Sequence, residues 1–239
     1  MGLLSRLLNP PDVKAYAPDN DYWYTTRTAQ ALSGVTVTPD TALSISTVFR
    51  CVSAIAQDIA GMPLIVYRRT DTGKERARDH PLYDVLHDQP NQWQTSFEWR
   101  EMMLGHLLLR GNAYNLIRQG PRGFADQLIP LNPANMKVEQ LANRQLRYTY
   151  TWEDRRKEIY TQDEIFHLRG LSSDGVMGLS VVALARESLG LGIAAEQYGA
   201  RFFAQDARPG GVLQTDNTLN DEAFDRLKKD WDAVHSGLG

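Results

Sequence analysis

The chain has 239 residues, 42% of them hydrophobic, and carries 26 basic against 29 acidic side chains, for a net charge of −3. This length suffices for one large or two small domains, and the charge balance excludes a protein that holds duplex DNA on a strongly basic surface. A single cysteine excludes a disulfide scaffold, and the apolar runs are shorter than the roughly 20 residues of a membrane span, so we expect a soluble, intracellular protein without a membrane partner.

Residues 1–40 show no sustained hydrophobic period. They contain Pro10-Pro11, Pro18 and an aromatic cluster at Tyr22-Trp23-Tyr24. This pattern predicts a mobile N-terminal arm, or one that is ordered by a partner.

A helical pattern follows over residues 44–60. Its apolar residues recur at spacings of three and four and predict one buried face: Ile45, Val48, Val52, Ile55 and Ile59. Gly61 is suited to a left-handed C-cap, and Pro63 ends the helix. Leu64 to Tyr67 then predicts a buried strand, and Cys51 is expected to be a small, unreactive core residue.

A cluster of basic residues comes next, but acidic residues are interleaved with it. The basic members are Arg68, Arg69, Lys74, Arg76 and Arg78, and the acidic ones are Asp71, Glu75 and Asp79. With Gly73 marking a turn, the segment favours a solvated hairpin over a DNA-binding surface.

Two further helices are expected between residues 80 and 111. The first is short and is closed by Pro90-Asn91. The second begins with a capping box, Thr95 and Glu98, and ends at Gly111, and its apolar content predicts a central position.

From Asn112 to about Leu168 the hydrophobic period becomes two. Tyr114 and Leu116 alternate with polar neighbours, and Tyr148, Tyr150 and Trp152 share one face of a strand. This predicts a sheet of adjacent short strands, hence an α+β fold. A second capping pair, Thr161 and Glu164, suggests a short helix before Gly170.

The longest helical pattern covers residues 181–203. Its small residues, such as Gly190, Gly192 and Gly199, would let neighbouring backbones approach closely, which offsets their cost to helix stability. Further on, Leu219, Asn220 and Phe224 predict a hydrophobic staple and an N-cap for a last helix.

The motifs that could carry chemistry are weak. Residues 190–195 match the G-x-G-x-x-A pattern, but they stand inside a helical pattern rather than after a strand. The five histidines are scattered, and no metal-ligand spacing is present. We therefore expect no catalytic residue, cofactor or metal.

An ordered series of motifs over residues 45–213 resembles the portal proteins of tailed bacteriophages, in the family that accompanies Hong Kong-type capsids. The motifs are the helix with Val48, Cys51, Val52, Ile55, Ala56 and Ile59, then Pro63-Leu64, Arg68-Arg69, His80-Pro81-Leu82, Leu86, Pro90-Asn91, Gly111-Asn112-Ala113-Tyr114, Pro130-Leu131, Pro133, His167, Asp174-Gly175, Gly178-Leu179-Ser180 and Pro209-Gly210-Gly211-Val212-Leu213. The chain departs from the family in having Val181 where proline is usual and Gln205-Asp206 where Asn-Gly is common.

The resemblance implies a portal-type wing domain with a long stem helix and the beginning of a clip region. On that template residues 1–40 are the arm, 41–180 the wing, 181–208 the first stem helix and 209–239 the start of the clip, after which the chain looks truncated. It also implies a ring of about twelve subunits at a capsid vertex.

Implied partners are further copies of the chain, the terminase large subunit, the major capsid protein, the head-tail connector, and double-stranded DNA that passes through the channel without sequence-specific binding. The implied location is the virion, after assembly in the host cytoplasm. Candidate stem or interface residues are Arg186, Glu187, Gly192, Glu196, Gly199 and Arg201. Candidate clip or terminase-docking residues are Asp221, Glu222, Asp225, Lys228 and Lys229.

Two other interpretations remain open from the residues themselves. A soluble α+β, hydrolase-like enzyme would bring Asp174, His167 and Ser180 together, with a perturbed His167 pKa and a carboxylate partner. A monomeric adaptor module would show no self-association.

Overall fold

The computed structural model describes residues 30–121, 123–204 and 220–235; most of the expected N-terminal arm and the motif at 209–213 lie outside these ranges. The helices are α1 Pro39–Leu43, α2 Ser46–Ala60, α3 Pro81–His87, α4 Ser96–Arg110, α5 Val181–Leu184, α6 Arg186–Ala204 and α7 Asp221–His235. The strands are β1 Tyr67–Thr70, β2 Gly73–Arg76, β3 Asn112–Gln119, β4 Ala125–Leu131, β5 Met136–Gln140, β6 Leu146–Thr151, β7 Lys157–Thr161 and β8 Ile165–Arg169.

The described residues fall into two compact units. Val37–Arg186 belongs to the first, and Gln30–Thr36 joins the residues from Glu187 onward in the second. The first unit contains all eight of the strands given above, in separate antiparallel sheets flanked by helices, so the predicted α+β class is confirmed.

Two three-stranded sheets build the first unit. Their strand orders are β4-β3-β8 and β5-β6-β7, while β1 and β2 form a separate hairpin. The hairpin register pairs Arg68 with Glu75, and its residues are almost all exposed, which confirms the predicted solvated hairpin.

Strand β3 is buried on both faces, which the period-two pattern did not predict. Tyr114 and Leu116 point into a core shared with Tyr148 of the second sheet. Ala113 points the other way, into a core shared with Trp99 and Met103 of α4. The first sheet is therefore a middle layer between helices and the second sheet, so residues 112–116 of its central strand have no solvated face.

Asn115 shows how a polar residue fits in this middle layer. Its side chain is fully buried, accepts a hydrogen bond from Trp99 Nε1 at 2.8 Å and donates to Met103 Sδ at 3.0 Å. The period-two pattern predicts a solvent-exposed side chain at this position. The buried amide is tolerated because both its oxygen and its nitrogen have hydrogen-bond partners.

Helix α2 is present as predicted, but its buried face is only partly the predicted one: Ile45, Val48 and Val52 are half-buried. Ala56 and Ala60 are buried, whereas Ile55 and Ile59 are 45% and 39% exposed, and Cys51 is exposed. The expectation of a core cysteine was therefore wrong. Small alanines let α2 lie close to α4, and this rotates the larger apolar side chains away from the contact.

The predicted end of α2 was right in position and wrong in detail. The helix stops at Ala60, but Gly61 has φ −66°, in the right-handed region, rather than a left-handed cap. The predicted buried strand at residues 64–67 is also wrong. The strand begins at Tyr67, and Leu64 is exposed.

The capping box of α4 is confirmed. Thr95 Oγ1 accepts from the backbone N–H of Glu98, and Glu98 accepts from the backbone N–H of Thr95 at 2.8 Å. Gly111 ends the helix with φ +75°, a left-handed C-cap. Arg100 of the same helix donates to the carbonyl oxygen of Ala60 at 2.7 Å and so ties α4 to the end of α2.

The second Thr–Glu pair does not start a helix. Thr161 donates to Glu164 Oε2 from its backbone at 2.8 Å and from its hydroxyl at 2.9 Å, but the bonds close the turn between β7 and β8. The expected short helix is replaced by β8, whose pairing with β3 prevails over the local signal.

The long helical pattern is interrupted once. Ser180 caps α5 by accepting from the backbone N–H of Ala183, and Ala185, with ψ near 10°, ends that short helix before α6 begins. Residues 190–195 lie inside α6, so the prediction that they are helical, rather than a turn that follows a strand, is confirmed. Asn220 caps α7 by accepting from the backbone N–H of Ala223 at 2.9 Å, whereas Leu219, the other half of the predicted staple, lies outside the described residues.

Candidate assembly surface and the junction that supports it

Three glycines let two backbone segments cross in the first unit. Gly170 donates from its backbone to the carbonyl oxygen of Gly111 at 2.9 Å. A Cβ atom added at Gly178 would lie 1.9 Å from that same oxygen, and one added at Gly111 would lie 2.3 Å from the oxygen of Leu179. Only glycine fits at positions 111 and 178, and this close approach fixes the segment 170–180 against the end of α4.

Asn112 extends the crossing with its side chain. Its Oδ1 accepts from the backbone N–H of Gly178 at 2.8 Å, and its Nδ2 donates to the carbonyl oxygen of Gly178 at 2.9 Å. The amide therefore pairs with the backbone of Gly178 as a neighbouring strand would.

His167 is held by two further hydrogen bonds. Its Nε2 lies 3.0 Å from Asn112 Oδ1 and its Nδ1 lies 3.2 Å from the Tyr148 hydroxyl. Because Asn112 Oδ1 can only accept, the network assigns the proton to Nε2, and Nδ1 accepts from Tyr148. Burial, together with the positive charge of Arg169, lowers the pKa of His167 from 6.5 to about 3, so the ring stays neutral.

The residues of the enzyme interpretation have structural roles. The pKa of His167 is perturbed, as that interpretation requires, but its ring nitrogens bond a phenol and an amide instead of a carboxylate. The Ser180 hydroxyl donates to the carbonyl oxygen of Leu109 at 2.9 Å, and Asp174 Oδ1 accepts from the backbone N–H of Val176 at 2.8 Å. These bonds hold the crossing and its loop rather than a nucleophile beside its base.

Within residues 30–121, 123–204 and 220–235, no group of three His, Cys, Asp or Glu side chains is placed to hold a metal ion. Over the same part of the chain, every helix is too short or too polar to span a bilayer.

The basic cluster is partly neutralised by its own neighbours. Arg68 lies 2.6 Å from an oxygen of Asp79 and 3.6 Å from one of Glu75, and Lys74 lies over the ring of Tyr67. Hydrogen bonding to Asp79 raises the pKa of Arg68 and lowers that of the carboxyl. The neighbouring carboxylates therefore reduce the positive charge that this exposed hairpin offers to phosphates.

One exposed apolar surface lies on α2 and the residues after it. We call it the α2 face, defined by Cys51, Ile55, Ile59, Met62 and Leu64, all of which are exposed. The sequence placed Ile55 and Ile59 on the buried face of the helix, and it assigned Cys51 and Leu64 to the core by separate arguments. Exposed apolar patches of this kind are typical of contact surfaces.

A second exposed surface lies on α6, in the other compact unit. We call it the α6 stripe, defined by Leu191, Tyr198 and Phe202, which share one side of the helix. Tyr198 is 72% exposed, and its ring stacks on that of Phe202 at 6.2 Å. Sequence reasoning noticed the glycines of this helix but missed the stripe, although its spacing of seven and four is visible in the sequence.

The candidate stem residues all lie on α6 and do not form one cluster. Arg186 is its first residue and is half-buried, while Glu187, Glu196 and Arg201 are exposed. Glu187 accepts from the backbone N–H of Leu32 at 2.9 Å and so holds the segment 30–36. At Gly192 and Gly199 an added Cβ would meet no atom within 4 Å, so in this chain these glycines face open space.

The candidate clip residues lie on α7 and are exposed throughout: Asp221, Glu222, Asp225, Lys228 and Lys229. Asp221 and Glu222 stand in the first turn, where acidic side chains favour the positive end of the helix dipole. Phe224 and Leu227 on the same helix are also exposed. The helix thus presents both charged and apolar side chains to its surroundings.

The chain is similar to portal proteins over nearly its whole length. A family model described as "Phage portal protein" matches residues 46–239. The portal protein of Enterobacteria phage HK97 is 32% identical over 235 residues, covering 97% of this chain and 53% of the relative. A probable portal protein of Streptomyces phage phiC31 is 31% identical, covering 88% of this chain and 48% of the relative. The chain spans about half the length of these curated relatives.

Solved structures show the same likeness. A chain in the neck of an empty gene transfer agent (GTA) particle, computed with C6 symmetry, has a TM-score of 0.64 and 28% identity, covering 83% of this chain and 55% of that chain. An HK97 family phage portal protein from Corynebacterium diphtheriae has a TM-score of 0.55 and 17% identity, covering 86% of this chain and 64% of that chain, and shows the fold alone.

Proposed function

This chain belongs to the phage portal protein family, and we propose that it is a subunit of a closed ring at one vertex of the capsid, through which double-stranded DNA is packaged and ejected. The observation that carries the proposal is the family match over residues 46–239, joined with the two exposed apolar surfaces, the α2 face and the α6 stripe. A subunit that is complete only in an assembly presents such surfaces when it is alone.

We infer that the assembled ring is a dodecamer of the virion that forms in the host cytoplasm. Its partners would be further copies of the chain, the major capsid protein, the terminase large subunit and the head-tail connector. The similar chain from the GTA neck was computed with C6 symmetry, and a ring of twelve contains a sixfold axis. The net charge of −3 supports a channel that lets phosphates pass without gripping them.

The proposed parts follow the chain order: an arm at residues 1–40, a wing at 41–180, a stem helix at 181–208 and the start of a clip at 209–239. The break at Ala185 and the change of compact unit between Arg186 and Glu187 support a boundary between wing and stem close to residue 181. The role of the chain in this proposal is structural, and none of its residues carries out a reaction.

The experiment is negative-stain imaging, with a mass measurement, of the protein expressed from its complete reading frame. Rings with a central hole and a mass near twelve subunits are the expected result. Monodisperse monomers at high concentration would contradict the proposal and favour the adaptor interpretation.

A further inference from the structure

We propose that one face of the β1–β2 hairpin binds the phosphate backbone of duplex DNA weakly and without reading its sequence. We call it the basic face, defined by Tyr67, Arg69, Lys74 and Arg76. The choice of duplex DNA as the partner rests on the proposed function, which brings DNA through the ring.

The register of the hairpin places these four side chains together. Successive residues of a strand point to opposite faces, and residues directly opposite each other in an antiparallel pair share a face. Tyr67 is opposite Arg76. Arg69 is opposite Lys74 and lies two residues after Tyr67, so both pairs share one face. Lys74 accordingly lies over the ring of Tyr67, 4.9 Å from its centre.

The acidic residues of the segment lie elsewhere. Glu75 is opposite Arg68 on the other face, and Asp79 also bonds Arg68 at 2.6 Å. Ala77, two residues after Glu75, is buried, so that face is turned toward the protein. Asp71 stands in the turn between the two strands. Charges that are interleaved in the sequence are therefore separated in the fold, and the strands place no carboxylate on the basic face.

The cations of the basic face are available to a partner. Arg69, Lys74 and Arg76 are exposed, and within the part of the chain that the structure describes none of them makes an ion pair. Like charges directly opposite each other, as at Arg69 and Lys74, destabilise a sheet. An anion that lies across both side chains replaces this repulsion with attraction.

The spacing of the cations fits a duplex. Side chains two residues apart on a strand are about 6.5 Å apart, and opposite residues are about 5 Å apart. Duplex DNA carries one negative charge per about 1.7 Å of its axis, so each cation can meet a phosphate, whereas a protein offers a comparable charge density only in an acidic tract. Guanidinium, ammonium and phenol groups all donate hydrogen bonds to phosphate, and such contacts carry no sequence information.

The binding should be weak. Three phosphate contacts for each hairpin correspond to a slope of about −2.7 in log K against log salt. The net charge of the chain, −3, adds no general attraction for DNA. A local contact of this strength lets the duplex move, as packaging and ejection require.

The first test measures the fluorescence anisotropy of a labelled duplex with the protein expressed from its complete reading frame, over about 50–200 mM salt. Arg69→Gln, Lys74→Gln and Arg76→Gln should each reduce the slope by about one third, and the triple variant should bind at least about tenfold more weakly at the lowest salt. A duplex of different sequence should bind equally well.

Arg68→Gln is the matched control. It removes the same charge from the same hairpin, but Arg68 lies on the opposite face and is paired with Asp79. Its affinity and slope should equal those of the wild type. Lys74→Gln should unfold at the same or a higher urea concentration than the wild type, because the repulsion from Arg69 is removed, and this separates a binding role from a folding role.

The second test uses polyglutamate as a competitor for the duplex. Because an extended polypeptide carries its charges farther apart than a duplex does, a several-fold excess of negative charge should be needed to displace half of the DNA. Displacement at equal charge would overturn the choice of DNA and would favour an acidic protein segment as the partner.

The remaining outcomes separate this inference from the function on which it rests. If wild-type rings form but the triple variant binds DNA as the wild type does, the inference is overturned and the ring proposal stands. An equal loss in Arg68→Gln would show an effect of net charge alone and would also overturn it. If the wild type forms no rings, the ring proposal fails, and the same titrations on the unassembled protein still decide whether the basic face binds DNA.

Discussion

Gly178→Ala tests the backbone crossing that joins the first sheet to the segment leading into α5. The added Cβ would lie 1.9 Å from the carbonyl oxygen of Gly111, so the two segments must separate by at least about 1.5 Å to reach ordinary contact. That movement breaks the bond from Gly170 to Gly111 and the two bonds between Asn112 and Gly178.

The magnitude follows from these three bonds. Each buried polar group that is left without a partner costs about 1–3 kcal/mol, so the loss of three bonds should lower the free energy of unfolding by about 3–9 kcal/mol. This is a large share of the stability of an ordinary domain, and such losses arise from few mechanisms, of which a forced backbone clash is one.

The assay is urea unfolding followed by tryptophan fluorescence, since Trp99 is buried in the same unit. Gly105→Ala is the matched control, because an added Cβ there meets no atom within 4 Å and alanine favours a helix interior by about 1 kcal/mol. If the free energy of unfolding of Gly178→Ala lies within about 0.5 kcal/mol of that of the wild type, the tight backbone crossing is refuted.

Three other predictions concern the cap, the buried histidine and the exposed thiol. Thr95→Ala should lower the free energy of unfolding by about 1 kcal/mol in the same urea assay, because α4 loses its N-cap, and an unchanged midpoint would contradict this. The pKa of His167 is about 3 in the folded protein, compared with 6.5 as its ordinary value, so the unfolded chain binds the proton at a higher pH than the folded one. The free energy of unfolding should therefore be unaffected by this group above pH 6.5 and should fall as the pH drops from 6.5 toward 3. His167→Gln should reduce that loss, measured as urea midpoints between pH 7 and pH 4, and an equal slope in both proteins would show that other groups cause it. Cys51 should react readily with a maleimide in the monomer and at least about tenfold more slowly in rings, whereas equal rates would show that the α2 face stays uncovered.

Local signals were predicted well where nothing competed with them. Thr95 and Glu98 start α4 and Gly111 ends it, as their residue types indicate. The same Thr-x-x-Glu pattern at residues 161–164 closes a turn between strands instead, because β8 gains hydrogen bonds along β3. The difference between the two sites lies in a strand about 50 residues away, and a local pattern carries no information about it.

Burial was predicted less well than secondary structure. A hydrophobic stripe shows which side of a helix is apolar, but it does not show whether this chain or another one covers it. On α2 the contact is made through Ala56 and Ala60, and Ile55 and Ile59 remain outside. Exposed apolar residues of this kind are informative because an isolated chain has no use for them.

The polar junction could be recognised only in part. Asn112, His167 and Gly178 appeared in the ordered motif series, but the series did not say what they do. Their roles depend on two hydrogen bonds from one amide to a glycine 66 positions away. The candidate residues on α6 and α7 remain predictions, because a single chain shows no contact with another molecule.

The separation between Asn112 and Gly178 also has a consequence for synthesis. Strand β3 leaves the ribosome together with α4, yet β8 and the residues that complete the crossing follow some 50–65 positions later. At about 5–20 residues per second, several seconds pass before the sheet can close. During this interval β3 has one open edge, so the nascent chain is exposed to wrong strand pairing until β8 has emerged.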